Sequence, residues 1–258
     1  QQEYPTLTAA VTAVARQEGV SRESVRRWLA QAEVDDGAAS VDVAHAVLLH
    51  EAQAMARLSD KFTQNRLAMQ RAVHATRAAR GKLVLVGVGK SGLIARKIAS
   101  TLTSLGTLAC FLHPVEALHG DIGVVQPGED VIMALSYSGE SPELLTFMQL
   151  PQSQRCVRIV MSANPRGRLV PLGDIWLDCG SSIEVTDAAS GPFSTSSSEA
   201  CPYIPAPTTS TTTMLALGDA FSMALTHAKG IQCGTFFANH PGGNLGQVFP
   251  MQQRLSKN

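Results

Sequence analysis

Lys90 lies in a run of glycines, Gly87, Gly89 and Gly92, with Ser91 beside it. An apolar run from Leu83 leads in, so residues 83–92 read LVLVGVGKSG. The pattern is a strand, a tight glycine turn and the start of a helix. Backbone N–H groups at such a helix N-terminus attract anions, phosphate above all. Three chemistries compete for the turn. A nucleotide P-loop needs a glycine five residues before Gly89, and position 84 is Val84. The dinucleotide fingerprint GxGxxG fits literally, but it needs a carboxylate at the end of the next strand, about twenty residues on. That strand ends in Leu112-His113-Pro114. A sugar-phosphate turn with a working lysine is the third, and nothing in the sequence opposes it. Other polar and ionisable groups cluster in loops: HPVEALHGDIG at 113–123, SYSGESPE at 136–143 and NHPGGNLG at 239–246.

The elements that must hold these groups follow from hydrophobic periodicity. Short apolar runs at 83–88, 108–112, 131–135, 157–161 and 175–177 alternate with helical patterns at 93–105 and 214–228. Pro142 suits the first turn of a helix after the serine loop. This rhythm predicts an α/β fold with a parallel sheet flanked by helices on both faces. From 41 to 79 an apolar stripe (Val43, Val47, Met55, Leu58, Phe62) predicts one long helix, closed by Gly81. It would cover the sheet or pack against another subunit. Residues 1–40 form an N-terminal helical extension, 41–250 the main domain and 251–258 a tail. Ser21 is a helix N-cap, and the segment around it has the look of the second half of a helix-turn-helix. Four arginines face six acidic residues across 1–40. The segment is therefore not basic, and a helical arm is the preferred reading over DNA binding. Residues 180–213 are low in complexity, rich in Ser, Thr and Pro.

Composition narrows the partners. Net charge is zero and apolar content is 45%, enough for a core but with no global field for nucleic acid or an acidic membrane. The five cysteines are dispersed, without a CxxC, which points to reduced thiols in the cytoplasm. No apolar run reaches membrane-spanning length, and the polar start is no signal peptide.

Six motifs occur in order: Gly87-Val88-Gly89-Lys90-Ser91-Gly92; His113-Pro114-x-Glu116-Ala117-x-His119-Gly120-Asp121-x-Gly123; Ser136-x-Ser138-Gly139-Glu140-Ser141-x-Glu143; Glu199-Ala200-Cys201-Pro202; Ala206-Pro207-Thr208-x-Ser210-Thr211-Thr212; and His240-Pro241-Gly242-Gly243-x-Leu245-Gly246. Together they resemble the arabinose-5-phosphate isomerase family, built on the sugar isomerase (SIS) domain, over about residues 41–246. The resemblance implies interconversion of D-ribulose 5-phosphate and D-arabinose 5-phosphate through an enediol(ate). That chemistry needs a base, proton shuttling between O1 and O2, and a donor for the developing oxyanion. It needs no redox cofactor, so none is expected.

The family's catalytic residues fall here on Lys90, Glu143, Glu199 and His240. Lys90 would stabilise the enediolate oxygen or orient the substrate. His240 carries an imidazole, a side chain suited to ring opening or proton transfer. Glu143 is also well placed by the helix dipole alone, and Glu199 alone would read as a solvated loop charge. Which glutamate is the base stays open. Phosphate is assigned to Ser136, Ser138 and Ser141 with N–H groups near Gly139. Gly89 and Ser91 then meet the reacting end of the sugar or its hydroxyls. Thr208, with Ser210 and Thr211, either closes the site or caps a helix. His113, His119, Glu116 and Asp121 are close in sequence, yet the chemistry demands no metal, and His119 reads as a substrate-hydroxyl contact.

Bacterial members often carry a pair of CBS domains after the SIS domain. The expectation here is a form without them. Family members are tetrameric, with sites that draw residues from neighbouring subunits, so a homotetramer is expected. Two other readings compete. One is a sugar-phosphate-sensing transcription regulator with an N-terminal helix-turn-helix. The other is a scaffold that binds sugar phosphate without turnover. A sensor needs the phosphate hydroxyls but no proton-transfer set.

Overall fold

The computed structural model describes residues 6–35, 38–180, 199–201 and 204–242. Most of the Ser-rich stretch, Pro202, the end of the last motif from Gly243 and the 251–258 tail lie outside the described residues. The chain forms two compact units, 1–50 and 51–258.

In the first unit, helices α1 (Leu7–Gln17) and α2 (Arg22–Asp35) close on a small core of Val11, Ala15 and Val25, with Val20 beside it. Both helix starts are capped as their sequences dictate. Thr6 Oγ1 accepts the Ala9 N–H at 3.2 Å, and Ser21 Oγ accepts the Ser24 N–H at 3.0 Å. Arg26 pairs with Glu23 on an exposed face.

The predicted helix over 41–79 is in fact two, α3 (Ala38–Asp60) and α4 (Phe62–Ala78). They part at Lys61. Ser59 and Asp60 precede it, both weak helix formers whose side chains compete for backbone bonds.

The second unit is an α/β sandwich. After α4 come β1 (Leu83–Gly87), α5 (Gly89–Ser104), β2 (Ala109–Leu112), α6 (Pro114–Leu118) and β3 (Val131–Leu135). Then follow α7 (Pro142–Met148), α8 (Pro151–Gln154), β4 (Val157–Ser162), β5 (Ile175–Asp178), α9 (Thr209–Ala228) and α10 (Cys233–Ala238). Five parallel strands lie in the order β2-β1-β3-β4-β5.

Strand residues alternate between faces with period two, so the wholly buried central strands β1 and β3, with the apolar residues of β4 and β5, supply two cores. Leu83, Leu85, Met133, Leu135, Ile159, Met161 and Leu177 pack beneath α4, α5 and α9, with Ile98 and Phe221 fully buried among them. Val84, Val86, Ile132, Ala134 and Val160 pack on the other face beneath α6 and α7, around Phe147. The predicted parallel sheet with helices on both faces is therefore the fold. Asn65 of α4 treats the outer edge of β5 as a strand would: its amide donates to Asp178 O at 2.7 Å and accepts from Asp178 N at 3.0 Å. The last residue of that edge is thus paired by a side chain. All five cysteines are free thiols. Among the described residues, no helix is long and apolar enough to cross a membrane.

Candidate functional site

In a sheet of this order the connections reverse direction between β1 and β3, and the crevice beyond their carboxyl ends is the natural ligand position. Gly87 and Leu135 end these two strands and are paired in register. The glycine turn and the serine loop therefore emerge side by side.

The turn is as tight as its glycines allow. A Cβ on Gly87 would come within 2.9 Å of the Ser91 carbonyl, and one on Gly92 within 2.8 Å of Gly87 O. Gly89 adopts φ +56°, which side chains disfavour. Helix α5 consequently starts at Gly89, four residues before its apolar pattern begins. Lys90 and Ser91 stand in its first turn, over the strand ends.

The serine loop is built as a ring of short bonds. Ser136 Oγ meets Ser141 Oγ at 2.9 Å and accepts the Gly139 N–H at 3.2 Å, and Ser138 Oγ accepts the Glu140 N–H at 3.2 Å. A serine oxygen that accepts an N–H still has its own proton to give. Gly139 has φ +70°, and a Cβ there would come within 3.1 Å of Gly167 Cα. The neighbouring 162–169 loop holds this one from outside. Leu169 N donates to Gly139 O at 2.9 Å and Asn164 Nδ2 to Ser138 O at 3.2 Å. Arg168 clasps Glu140 twice, through its backbone N (2.9 Å) and its Nε (2.6 Å). The clasp holds the Glu140 carboxyl below the usual range.

Glu199 is anchored at the N-terminus of α9. Its Oε2 accepts the backbone N–H groups of Thr208 (2.8 Å) and Ser210 (3.2 Å) and the Thr208 hydroxyl (3.2 Å). Thr208 Oγ1 in turn accepts the Ala200 N–H at 3.1 Å. A carboxylate suits the positive end of a helix. The bonds also explain why α9 begins at Thr209, ahead of its apolar pattern at Met214.

These three pieces enclose one cavity of 350 Å³, lined by Lys90, Ser91, Ser136, Ser138, Ser141 and Glu199, with Tyr137, Pro207, Thr211 and Met214 among the remaining walls. Gly139 is not among the cavity's lining residues; its N–H is turned back to Ser136 and shapes the loop. Gly89 lines an adjoining cavity that shares Lys90 with the first. The Thr208 hydroxyl is engaged with Glu199 and Ala200. Glu143 sits half-buried in the first turn of α7, outside the cavity lining. His119 is exposed at the end of α6.

His240 is remote. Its Nδ1 lies 2.6 Å from Phe236 O and its ring against Phe236 at 4.1 Å. The preceding Asn239 donates to Ser104 O at the far end of α5. That helix has 16 residues, so at about 1.5 Å per residue roughly 22 Å separates its two ends.

Sequence reasoning did not find the Arg168 clasp or the Glu199 anchor. Arg168 is 28 residues from Glu140 and Thr208 is 9 from Glu199, so no local pattern announces either. Among the described residues, no three His, Cys, Asp or Glu side chains gather as a metal site would need.

A five-stranded parallel sheet with helices on both faces and a polar cleft at its switch point is the architecture of the SIS domain, and the chain belongs to that family: the SIS domain model matches residues 77–224. Among relatives, the arabinose 5-phosphate isomerase KdsD of Yersinia pestis is 41% identical over 201 residues, 78% of this chain and 56% of that protein. KdsD of Pseudomonas aeruginosa is 39% identical over 193 residues, 75% of this chain and 52% of that protein. The chain thus spans about half the length of the curated relatives it matches. Among solved structures, E. coli CFT073 c3406 in complex with A5P aligns with TM-score 0.66 and 28% identity, over 78% of this chain and 97% of that one.

Proposed function

We propose that this protein is an aldose–ketose isomerase that interconverts D-ribulose 5-phosphate and D-arabinose 5-phosphate through an enediolate. The observation that carries the reading is the convergence of Lys90, the Ser136–Ser138–Ser141 hydroxyls and Glu199 on one cleft at the β1/β3 switch point. The names of the similar proteins agree with it. A cleft built only to sense a phosphate would need the hydroxyls alone.

In this reading the serine loop binds the 5-phosphate by hydroxyl and N–H donors, without a counter-cation. The sugar runs toward Lys90, which stabilises the negative oxygen of the enediolate. Glu199 is the carboxylate among the cleft's described lining residues; its anchoring through Oε2 fixes its orientation, and it is assigned the proton transfer between C1 and C2. No step calls for a cofactor. His240 serves the cleft of a second copy, since it lies at the wrong end of α5 for its own. Glu143 acts on the rim that this copy covers. A homotetramer in the cytoplasm, with its thiols reduced, suits such shared sites.

The test is conversion of ribulose 5-phosphate to arabinose 5-phosphate by purified protein, beside Lys90→Ala and Ser138→Ala. Lys90→Ala lowers kcat by about 100- to 1,000-fold, and Ser138→Ala acts mainly on KM. Binding of the sugar phosphate with no product at all would refute the enzyme reading.

A further inference from the structure

Across Lys90 from the serine cleft lies a second cavity, of 500 Å³. Its walls are the first two turns of α5, with Lys90, Leu93 and Arg96, and the end of β2, with Phe111 and then His113. No carboxylate is among its described lining residues. The Arg96 guanidinium lies over the Phe111 ring, 4.5 Å from its centroid, so an otherwise flexible cation is held in place. Phe111 meets His113 edge-on, with centroids 6.3 Å apart. His113 Nδ1 is buried without a hydrogen-bond partner. A lysine, a fixed arginine, a histidine and the start of α5 therefore face one space, and the proposed reaction leaves Arg96 and His113 unused.

We infer that this annex is a second anion subsite, which admits a phosphoryl group carried on O1 of a pentose 5-phosphate and so makes pentose 1,5-bisphosphates inhibitory ligands of the cleft. The inference rests on the pentose-phosphate reading above. There the 5-phosphate lies in the serine loop and C1 lies at Lys90. Because Lys90 lines both cavities, a substituent on O1 passes it and enters the annex. The planar fork of Arg96 matches phosphoryl oxygens two at a time. Such a ligand is not turned over, because an ester on O1 prevents an aldehyde from forming at C1.

The test is calorimetric binding of two pentitols that lack a carbonyl and cannot react, arabinitol 5-phosphate and arabinitol 1,5-bisphosphate, to the full chain. The bisphosphate is expected to bind at least about tenfold more tightly, the worth of a modest charge-assisted contact. Arg96→Ala should remove that preference while the monophosphate affinity stays within about twofold, and Arg96→Lys should keep part of it. Thermal melting of each variant checks that it is folded. Equal affinities in the wild type, or a preference that survives in Arg96→Ala, overturn the annex alone. Failure of both pentitols to bind overturns the pentose-phosphate reading and the annex with it.

Discussion

Glu199 Oε2 and the Thr208 backbone N–H are 2.8 Å apart, and the Thr208 hydroxyl adds a second bond to the same oxygen at 3.2 Å. This pair joins the short 199–201 segment to the start of α9 and fixes where the carboxylate points. Thr208 acts through Glu199. Thr208→Val removes the hydroxyl and keeps the shape. It should lower kcat about tenfold with little change in KM, and lower stability by about 1 kcal/mol through the lost hydroxyl bonds to Glu199 and Ala200. Thr208→Ser should restore both. A rise in KM with unchanged kcat would instead make the Thr208 hydroxyl a substrate contact. Steady-state kinetics and urea melts of the two variants decide.

The Arg168 clasp on Glu140 holds the serine loop from outside the cleft. Arg168→Ala should loosen the phosphate end and raise KM about three- to tenfold, with kcat within about twofold, as loss of uniform binding does. The pH dependence has a definite sign. Arg168 depresses the Glu140 carboxyl in the folded state. The clasp therefore contributes stability that is complete above the ordinary glutamate range near about pH 4.3. It is lost as pH falls through the lower, folded value. The melting difference between wild type and Glu140→Gln should be full at neutral pH and shrink on acidification. A difference that grows toward acid would contradict the pairing.

Helices α5 and α9 touch at Gly218, where a Cβ would overlap the Cδ1 of Ile98 and come within 2.7 Å of its Cγ1. Ile98 is fully buried, so any shift of its side chain disturbs the core. Gly218→Ala should cost about 1–3 kcal/mol by overpacking, and the double variant Gly218→Ala with Ile98→Val should recover part of it. Differential calorimetry of the three proteins reads this directly. Since α5 carries Lys90 and α9 adjoins the Glu199 anchor, the single variant should also lose activity.

The separation of His240 from its own cleft predicts complementation. Lys90→Ala and His240→Ala should each be nearly inactive alone. Mixed after subunit exchange, random pairing would leave about one site in four with an intact Lys90 and an intact His240 from different copies. Recovery of activity on mixing supports the shared site. Two inactive variants that stay inactive when mixed, while native mass spectrometry shows mixed oligomers, would place His240 in its own chain's cleft.

Much of the fold was legible because the strands are continuous apolar runs, and such runs buried on both faces read directly as parallel sheet. The run at 131–135 is β3 to the residue. Helix starts were less legible. Gly89 and Thr209 open α5 and α9 with residues of poor helix propensity. Close packing against Gly87 licenses the first, and a carboxylate from a distant segment caps the second. The break at Lys61 was hidden because the apolar stripe continues across it. At the site, Lys90, Ser136 and Ser138 announced themselves by local motif. The pinning by Arg168 and Glu199 depends on contacts between distant segments, which no spacing rule contains. The distance of His240 from Lys90 is set by the length of α5 and the docking of α10 at its far end.

Proton transfer through an enediolate in the Lys90–Glu199 cleft leaves its mark in solvent exchange. Ribulose 5-phosphate is incubated with the protein in D₂O and the sugar phosphates are followed by NMR. The expected product is an aldopentose 5-phosphate that carries deuterium at C2, in the arabino configuration, formed by the wild type and lost in Glu199→Gln. Ribulose 5-phosphate that binds but remains unchanged, with no deuterium at C1 and no aldose formed, would contradict proton transfer through an enediolate.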